Sequence, residues 1–244
     1  MIKKILTILF LLATVGYLVY ALFLFSGNSS EVKCQDVQIE IRDDSGQSFV
    51  QASDVKRLLR NRDIRLIGKK MGDINYEAVE KALISHRLIE RAECYGSPSG
   101  TICINIWQHL PILRVAGVNG NYYIDSKGKK TGLSNNSAAD VVVASGYIKD
   151  SITVRDLYRF AVILRSEPLW DSMVEQIYVE SDGEWIIIPR VGDFEIEFGQ
   201  PVNMETKMKR AEVFIRDYLP KMGWDRYSKI SLKFDNQIVC TKKE

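Results

Sequence analysis

Histidine is scarce in this chain: His86 and His109 are the only two among 244 residues. His86 stands at a predicted helix end beside Arg87, and His109 stands in a Leu-Pro junction. Acid–base catalysis needs a base with an orienting partner, and neither histidine has one in the sequence pattern. The four cysteines, at positions 34, 94, 103 and 240, form no C-x-x-C pair. A structural zinc site needs closer, paired ligands, and so few scattered cysteines do not define a disulfide framework. Glycine-rich phosphate loops, internal repeats and low-complexity tracts are absent. Charge of one sign is also lacking: 33 Lys and Arg face 31 Asp and Glu, for a net +2. Bulk charge therefore gives no bias toward nucleic acid. Together these absences argue against an enzyme and against a cofactor, a metal, a small-molecule substrate or a nucleic-acid partner. Asp43-Asp44 and Asp182-Gly183 read as turn chemistry.

What the chain does contain is an uncharged run of 21 residues, Ile5 to Phe25. A helix of that length spans roughly 30 Å, the thickness of a bilayer core. Lys3, Lys4 and the terminal amine precede it, and the positive-inside tendency places that end in the cytoplasm. Tyr17 and Tyr20 lie toward the far end, where amphipathic rings suit the interface. A cleaved signal peptide would have a shorter apolar region and a small-residue cleavage site; this run has neither. The reading is a cytoplasmic tail over 1–4, a transmembrane helix over 5–25 and a polar linker over 26–36.

Beyond the linker, Val37, Ile39 and Ile41 alternate with polar residues, which predicts a half-buried strand. Ser53 is a predicted N-cap for a helix carrying Val55, Leu58 and Leu59, and Asn75 for one carrying Ala78, Val79, Ala82 and Leu83. A strand from Leu88 or Ile89 to Tyr95, a Gly96–Gly100 turn and an alternating strand through Ile102, Ile104 and Ile106 follow. Residues 37–110 thus read strand, helix, helix, strand, strand: one small core under a three-stranded sheet. Residues 111–244 read as a β-rich domain with helices, giving an α+β protein overall. Its predicted elements include a helix through Val154, Leu157, Ala161 and Leu164 that stops before Pro168. A hairpin follows through Asp182-Gly183. Phe194, Ile196 and Phe198 alternate in a strand, and a helix is capped by Asn203. Ile230, Leu232, Phe234, Ile238 and Cys240 share one parity in a predicted closing strand interrupted at Asn236. Trp107, Trp170, Trp185 and Trp224 read as packing residues. Lys207, Lys209, Arg210 and Arg216 read as a solvated helix face.

The β-α-α-β-β order is that of a POTRA domain, and the whole layout resembles the FtsQ/DivIB cell-division family. Ile89-Glu90-Arg91-Ala92-Glu93-Cys94 resembles the family's strand after the second POTRA helix. Ile104 to Pro111 is similar to the segment that usually ends in Glu, two residues and Pro, with Gln108 in place of that Glu. Tyr122-Tyr123-Ile124-Asp125 with Gly128 resembles the opening of the β-domain. Phe198-Gly199 with Lys207 resembles the Leu-Gly and Lys before the last helix. Ile230 to Gln237 is similar to the closing Asp-Leu-Arg-Tyr-Asp strand, with Ser231 and Lys233 at the Asp and Arg positions. The resemblance implies a bitopic scaffold in the cell inner membrane, its C-terminal domains periplasmic, concentrated at the division septum. It also implies that the closing strand binds FtsB, the coiled-coil partner of FtsL. That role falls on Lys233, Phe234, Asn236, Ile238 and Cys240. A strand at a sheet edge can accept another chain's strand, which agrees with it. A POTRA-bearing envelope chaperone or secretion component is the alternative, though no β-barrel pattern follows. A membrane-anchored hydrolase would need a clustered polar pocket that the sequence does not suggest.

The flanking charges predict N-in, C-out insertion. A C-terminal alkaline phosphatase fusion should be active and a cytoplasm-only reporter at the same site silent. The reverse pattern would refute the topology.

Overall fold

The computed structural model describes residues 2–25, 31–42, 48–149 and 151–243. The expected turn at Asp43-Asp44 and residues 26–30 of the expected linker lie outside the described residues. The chain divides into two units, one of Met1–Arg42 with Val50–Trp107 and one of Asp43–Phe49 with Gln108–Glu244.

The first unit opens with α1 (Ile2–Phe25), a helix long and apolar enough to cross a membrane. Its side chains from Ile8 to Tyr20 are exposed. Thr14 Oγ1 donates to the Leu11 carbonyl at 2.8 Å, so the helix satisfies its own mid-span hydroxyl, as hydrocarbon surroundings require. Then come β1 (Asp36–Arg42), α2 (Ala52–Asn61), α3 (Tyr76–Ile84), β2 (Ile89–Gly96) and β3 (Thr101–Gln108). The expected β-α-α-β-β order is present. The sheet order is β1-β3-β2, with β1 and β3 parallel. Ile102, Ile104 and Ile106 are fully buried, in one core with Val55 and Leu59 of α2 and Val79 and Leu83 of α3. Burying each such aliphatic side chain contributes about 1.5–3 kcal/mol. Asn75 caps α3 as expected, accepting the Ala78 N–H at 2.9 Å. Helix α2 begins earlier than Ser53 suggests. Gln51 is the N-cap residue, and its N–H donates to the Asp54 carboxylate at 3.0 Å.

Part of the expected linker belongs to this unit. Cys34 is 2% exposed. Its N–H donates to the Lys69 carbonyl and its carbonyl accepts from Gly68, both at 2.8 Å. An apolar cysteine and three residues of backbone pairing outweigh the polar composition around them. Cys94 lies on the buried face of β2 with Ala92, whereas Cys103 alternates with the buried isoleucines of β3 and turns to the other face. Two such residues cannot meet sulfur-bridge geometry.

The second unit is built on a nine-stranded sheet of order β12-β11-β10-β9-β8-β7-β4-β5-β6. The strands are β4 (Pro111–Gly117), β5 (Gly120–Asp125), β6 (Lys130–Thr131), β7 (Val142–Gly146), β8 (Val174–Val179), β9 (Trp185–Pro189), β10 (Glu195–Gly199), β11 (Tyr227–Ser231) and β12 (Val239–Lys242). Pro111 opens β4, where a missing N–H is tolerated. Helices α4 (Ser151–Ser166) and α5 (Pro168–Met173) connect the parallel pair β7 and β8. Helix α6 (Met204–Val213), a wider π turn (Phe214–Tyr218) and α7 (Leu219–Met222) connect the parallel pair β10 and β11. Pro220 has no N–H to continue the α ladder, and the widened turn just before it absorbs that loss. The core centres on Phe160, Trp185 and Phe198, whose ring centroids lie 4.9–6.0 Å apart.

Burial drives the Cys94 thiol up to about 12, and it raises Cys34 and Tyr76 as well. These groups ionise more readily unfolded than folded. Their stabilisation is complete below the ordinary thiol range and is lost as pH rises from about 9 toward 12. Denaturant melts should show the first unit weakening over that window. Cys94→Ala should reduce the alkaline loss without abolishing it; an unchanged pH profile would refute the burial argument.

Candidate functional site

The C-terminal edge of the nine-stranded sheet differs from its sequence reading. Instead of one interrupted strand, residues 227–242 form an antiparallel hairpin, with Ile230 opposite Cys240 and Ser231 opposite Val239. Asn236 sits at the turn with φ 59°, a left-handed conformation that Asn tolerates better than most residues. The shared parity persisted because two strands that fold back on each other present the same face at Ile230 and Cys240. Strand β12 is the sheet's end, with β11 on one side and no strand on the other among the described residues. The Lys243 N–H donates inward to the Arg226 carbonyl at 3.0 Å, and the Thr241 carbonyl accepts from Ser228 Oγ at 3.4 Å. By the alternation of an antiparallel ladder, Cys240 and Lys242 turn their main-chain N–H and C=O groups outward.

Sequence-selected side chains have distinct places here. Lys233 follows β11 and pairs with Glu184, which precedes β9. To do so it passes over the end of β10. A Cβ on Gly199 would lie 2.9 Å from Lys233 Cγ, and Gly199 has φ +72°. Glycine is required at that position on both counts. Glu180, Asp182 and Glu184 bring their carboxylate oxygens within 4.8 Å of one another. The Glu184 hydrogen bond, then the surrounding acids, hold the Lys233 ammonium above its ordinary pKa. Phe234 is 49% exposed. Ile238 and Cys240 are partly buried against the core.

Lys207 was expected on a solvated face, and it is buried at 7% exposure. Its ammonium donates to the carbonyls of Phe198 at 2.8 Å and Gln200 at 2.9 Å. It also lies 4.6 Å from the Phe198 ring centroid. Desolvation, then the nearby Arg210, lowers its pKa. Arg210 reaches from the same helix to the Leu232 carbonyl at 3.1 Å. Two cations of α6 thus satisfy carbonyls where β10 and β11 leave the sheet. The signal was available as a lysine at helical spacing with Met204, Met208 and Ala211. Asn203, the N-cap position of α6, takes φ 51° and accepts the Lys207 N–H through its main chain instead of its side chain.

The two histidines also resolve. His109 Nδ1 lies 2.6 Å from Asp125 Oδ2, both side chains being buried. Asp125 Oδ1 accepts the Lys127 and Lys129 N–H groups, at 3.0 and 2.7 Å. The pair therefore staples the β5–β6 turn. His86 is half-buried, and burial lowers its pKa. Trp170 and Trp185 are core residues, Trp224 stacks on Phe194, and Trp107 lies under the Arg91 guanidinium.

The family model FtsQ/DivIB, C-terminal related, matches residues 110–241, and a POTRA-like domain model matches residues 32–107. The chain belongs to the FtsQ/DivIB family. No curated protein matches the sequence. Membership makes it a division-associated protein whose family works through protein–protein interactions and is not catalytic. The POTRA-like match begins at Val32, consistent with the docking of Cys34 into that unit.

Within this FtsQ/DivIB-type domain the two lysines at the sheet end should behave differently. Lys207→Met leaves buried carbonyls without a donor and should cost about 1–3 kcal/mol. Lys233→Met removes a surface pair and should cost about 0–1 kcal/mol. Chemical denaturation of both variants checks this; equal losses would contradict the assigned roles.

Proposed function

We propose that the protein is a single-pass scaffold of the division machinery, N-terminus in the cytoplasm, that captures FtsB/FtsL-like coiled-coil proteins by strand addition to β12. The observation that carries the reading is the free side of β12, with the main-chain groups of Cys240 and Lys242 directed outward. An incoming strand would continue the ladder there, and main-chain hydrogen bonds would supply affinity. Phe234 supplies exposed aromatic area at the hairpin, and Asn236 sets the turn that presents it. Lys233 contributes charge shared with Glu184 and Lys243 charge shared with Asp193, while Lys242 offers a further cation to an acidic partner. Ile238 and Cys240 act from the partly buried side, holding β12 on the core. Binding without chemistry is the work assigned to the chain, in the inner membrane and at the septum.

Proline substitution separates binding from folding. Cys240→Pro removes an outward N–H and leaves the β11 ladder intact, whereas Thr241→Pro removes an inward one. With a reconstituted FtsB/FtsL-like pair, Cys240→Pro should weaken binding roughly tenfold or more with little change in melting. Thr241→Pro should lower the melting temperature. Phe234→Ala should weaken binding by about 2 kcal/mol at unchanged stability. Full binding by folded Cys240→Pro and Phe234→Ala variants would remove β12 as the docking edge.

A further inference from the structure

The near-zero net charge hides a strongly uneven distribution. Between Ser53 and Met71 stand seven Lys and Arg against two Asp, so the rest of the chain is net acidic. All seven cations are exposed. Arg57, Arg65 and Lys70 pair with Asp54, Asp63 and Glu31. Lys56, Arg60 and Lys69 have no carboxylate at ion-pair distance among the described residues.

The same segment borders an open groove of about 480 Å³ beside α2. Its floor is apolar, from Val37, Leu59, Ile64 and Leu66, and its rim carries Lys56, Arg60 and Arg65. Ile67 is 67% exposed at the groove, immediately before Gly68, whose φ of +85° makes the turn. A large aliphatic side chain on an exposed turn among unpaired cations suits a surface that is apolar beneath and anionic above.

Chain length fixes which surface is near. Lys33 forms a β-bridge with Lys70. Seven residues lie between Phe25, the end of α1, and Lys33, so eight residue-to-residue steps separate the two. Fully extended they reach at most about 28 Å. The groove segment is thus held close to the bilayer throughout the life of the protein, at high effective concentration.

We propose that this basic groove docks the POTRA-like unit onto anionic phospholipid headgroups of the membrane that α1 spans, with Ile67 entering the headgroup–acyl boundary. The proposal rests on α1 being a transmembrane helix and is independent of partner capture at β12. Each unpaired cation contributes about fivefold to the attraction, and salt screens it.

The test is amide hydrogen exchange on the full chain in lipid nanodiscs of phosphatidylcholine alone or with one-third phosphatidylglycerol. Amides of residues 62–70 should exchange at least about fivefold more slowly in the anionic discs. The difference should vanish in 1 M salt and in the Lys56→Glu/Arg60→Glu variant, whose altered side chains are exposed and outside the core. Protection of α1 in both discs reports the membrane span separately. Equal exchange of 62–70 in the two discs, with α1 protected, would overturn surface docking alone. Free exchange of α1 would overturn the span reading and the docking with it. Slowing produced in neutral discs by inorganic phosphate would assign the groove to a soluble anion. Slowing produced only by an acidic polypeptide would assign it to a protein partner. Either result rejects the lipid surface.

Discussion

Main-chain hydrogen bonding at the end of the nine-stranded sheet is the constraint on which the C-terminal half of this protein depends. Strands β10 and β11 run parallel and leave the sheet together, so their terminal carbonyls have no further ladder to join. Lys207 and Arg210 answer that need from α6, accepting the cost of burying a cation. With those carbonyls satisfied, Lys233 can cross Gly199 and reach Glu184, and the β11–β12 hairpin is held at the margin of the domain. The margin is then a short strand with one satisfied side. Its shortness and its lysines limit indiscriminate pairing, the usual hazard of an exposed edge.

The two units solve the problem of a small core differently. The POTRA-like unit relies on three fully buried isoleucines of one strand beneath two short helices, and it recruits Cys34 from the approach segment to close the core. The β-domain relies on an aromatic trio under a long helix. Two buried polar side chains of the β-domain are committed to its fold: Asp125 serves turn N–H groups and His109, and Lys207 serves carbonyls. These side chains hold the fold of a domain whose family works through protein–protein interactions.

Charge follows the same division. Acidic groups gather at the β8–β9 turn, where Lys233 meets them, while unpaired cations gather along α2 and the turn after it. A net value near zero conceals both. Counting charge by segment instead of by chain would have exposed the basic stretch from the sequence itself.

Periodicity and capping determined the element order directly. The uncharged run makes α1, Asn75 caps α3, and alternating isoleucines make β3, because burial on one face imposes a period that survives in the residues. Asn236 was legible as the point where the closing pattern is interrupted, and the chain turns there. Tertiary structure decided the rest. Strand and hairpin share a two-residue period, so parity could not tell one long closing strand from two paired ones; the reversal at Asn236 did. Lysine spacing could not tell a solvated face from a buried cation, because what buries Lys207 is the pair of carbonyls that β10 brings beneath it from elsewhere in the chain. Nor could residue order place β12 at an edge: strand neighbours are set by long-range pairing, which no local pattern encodes.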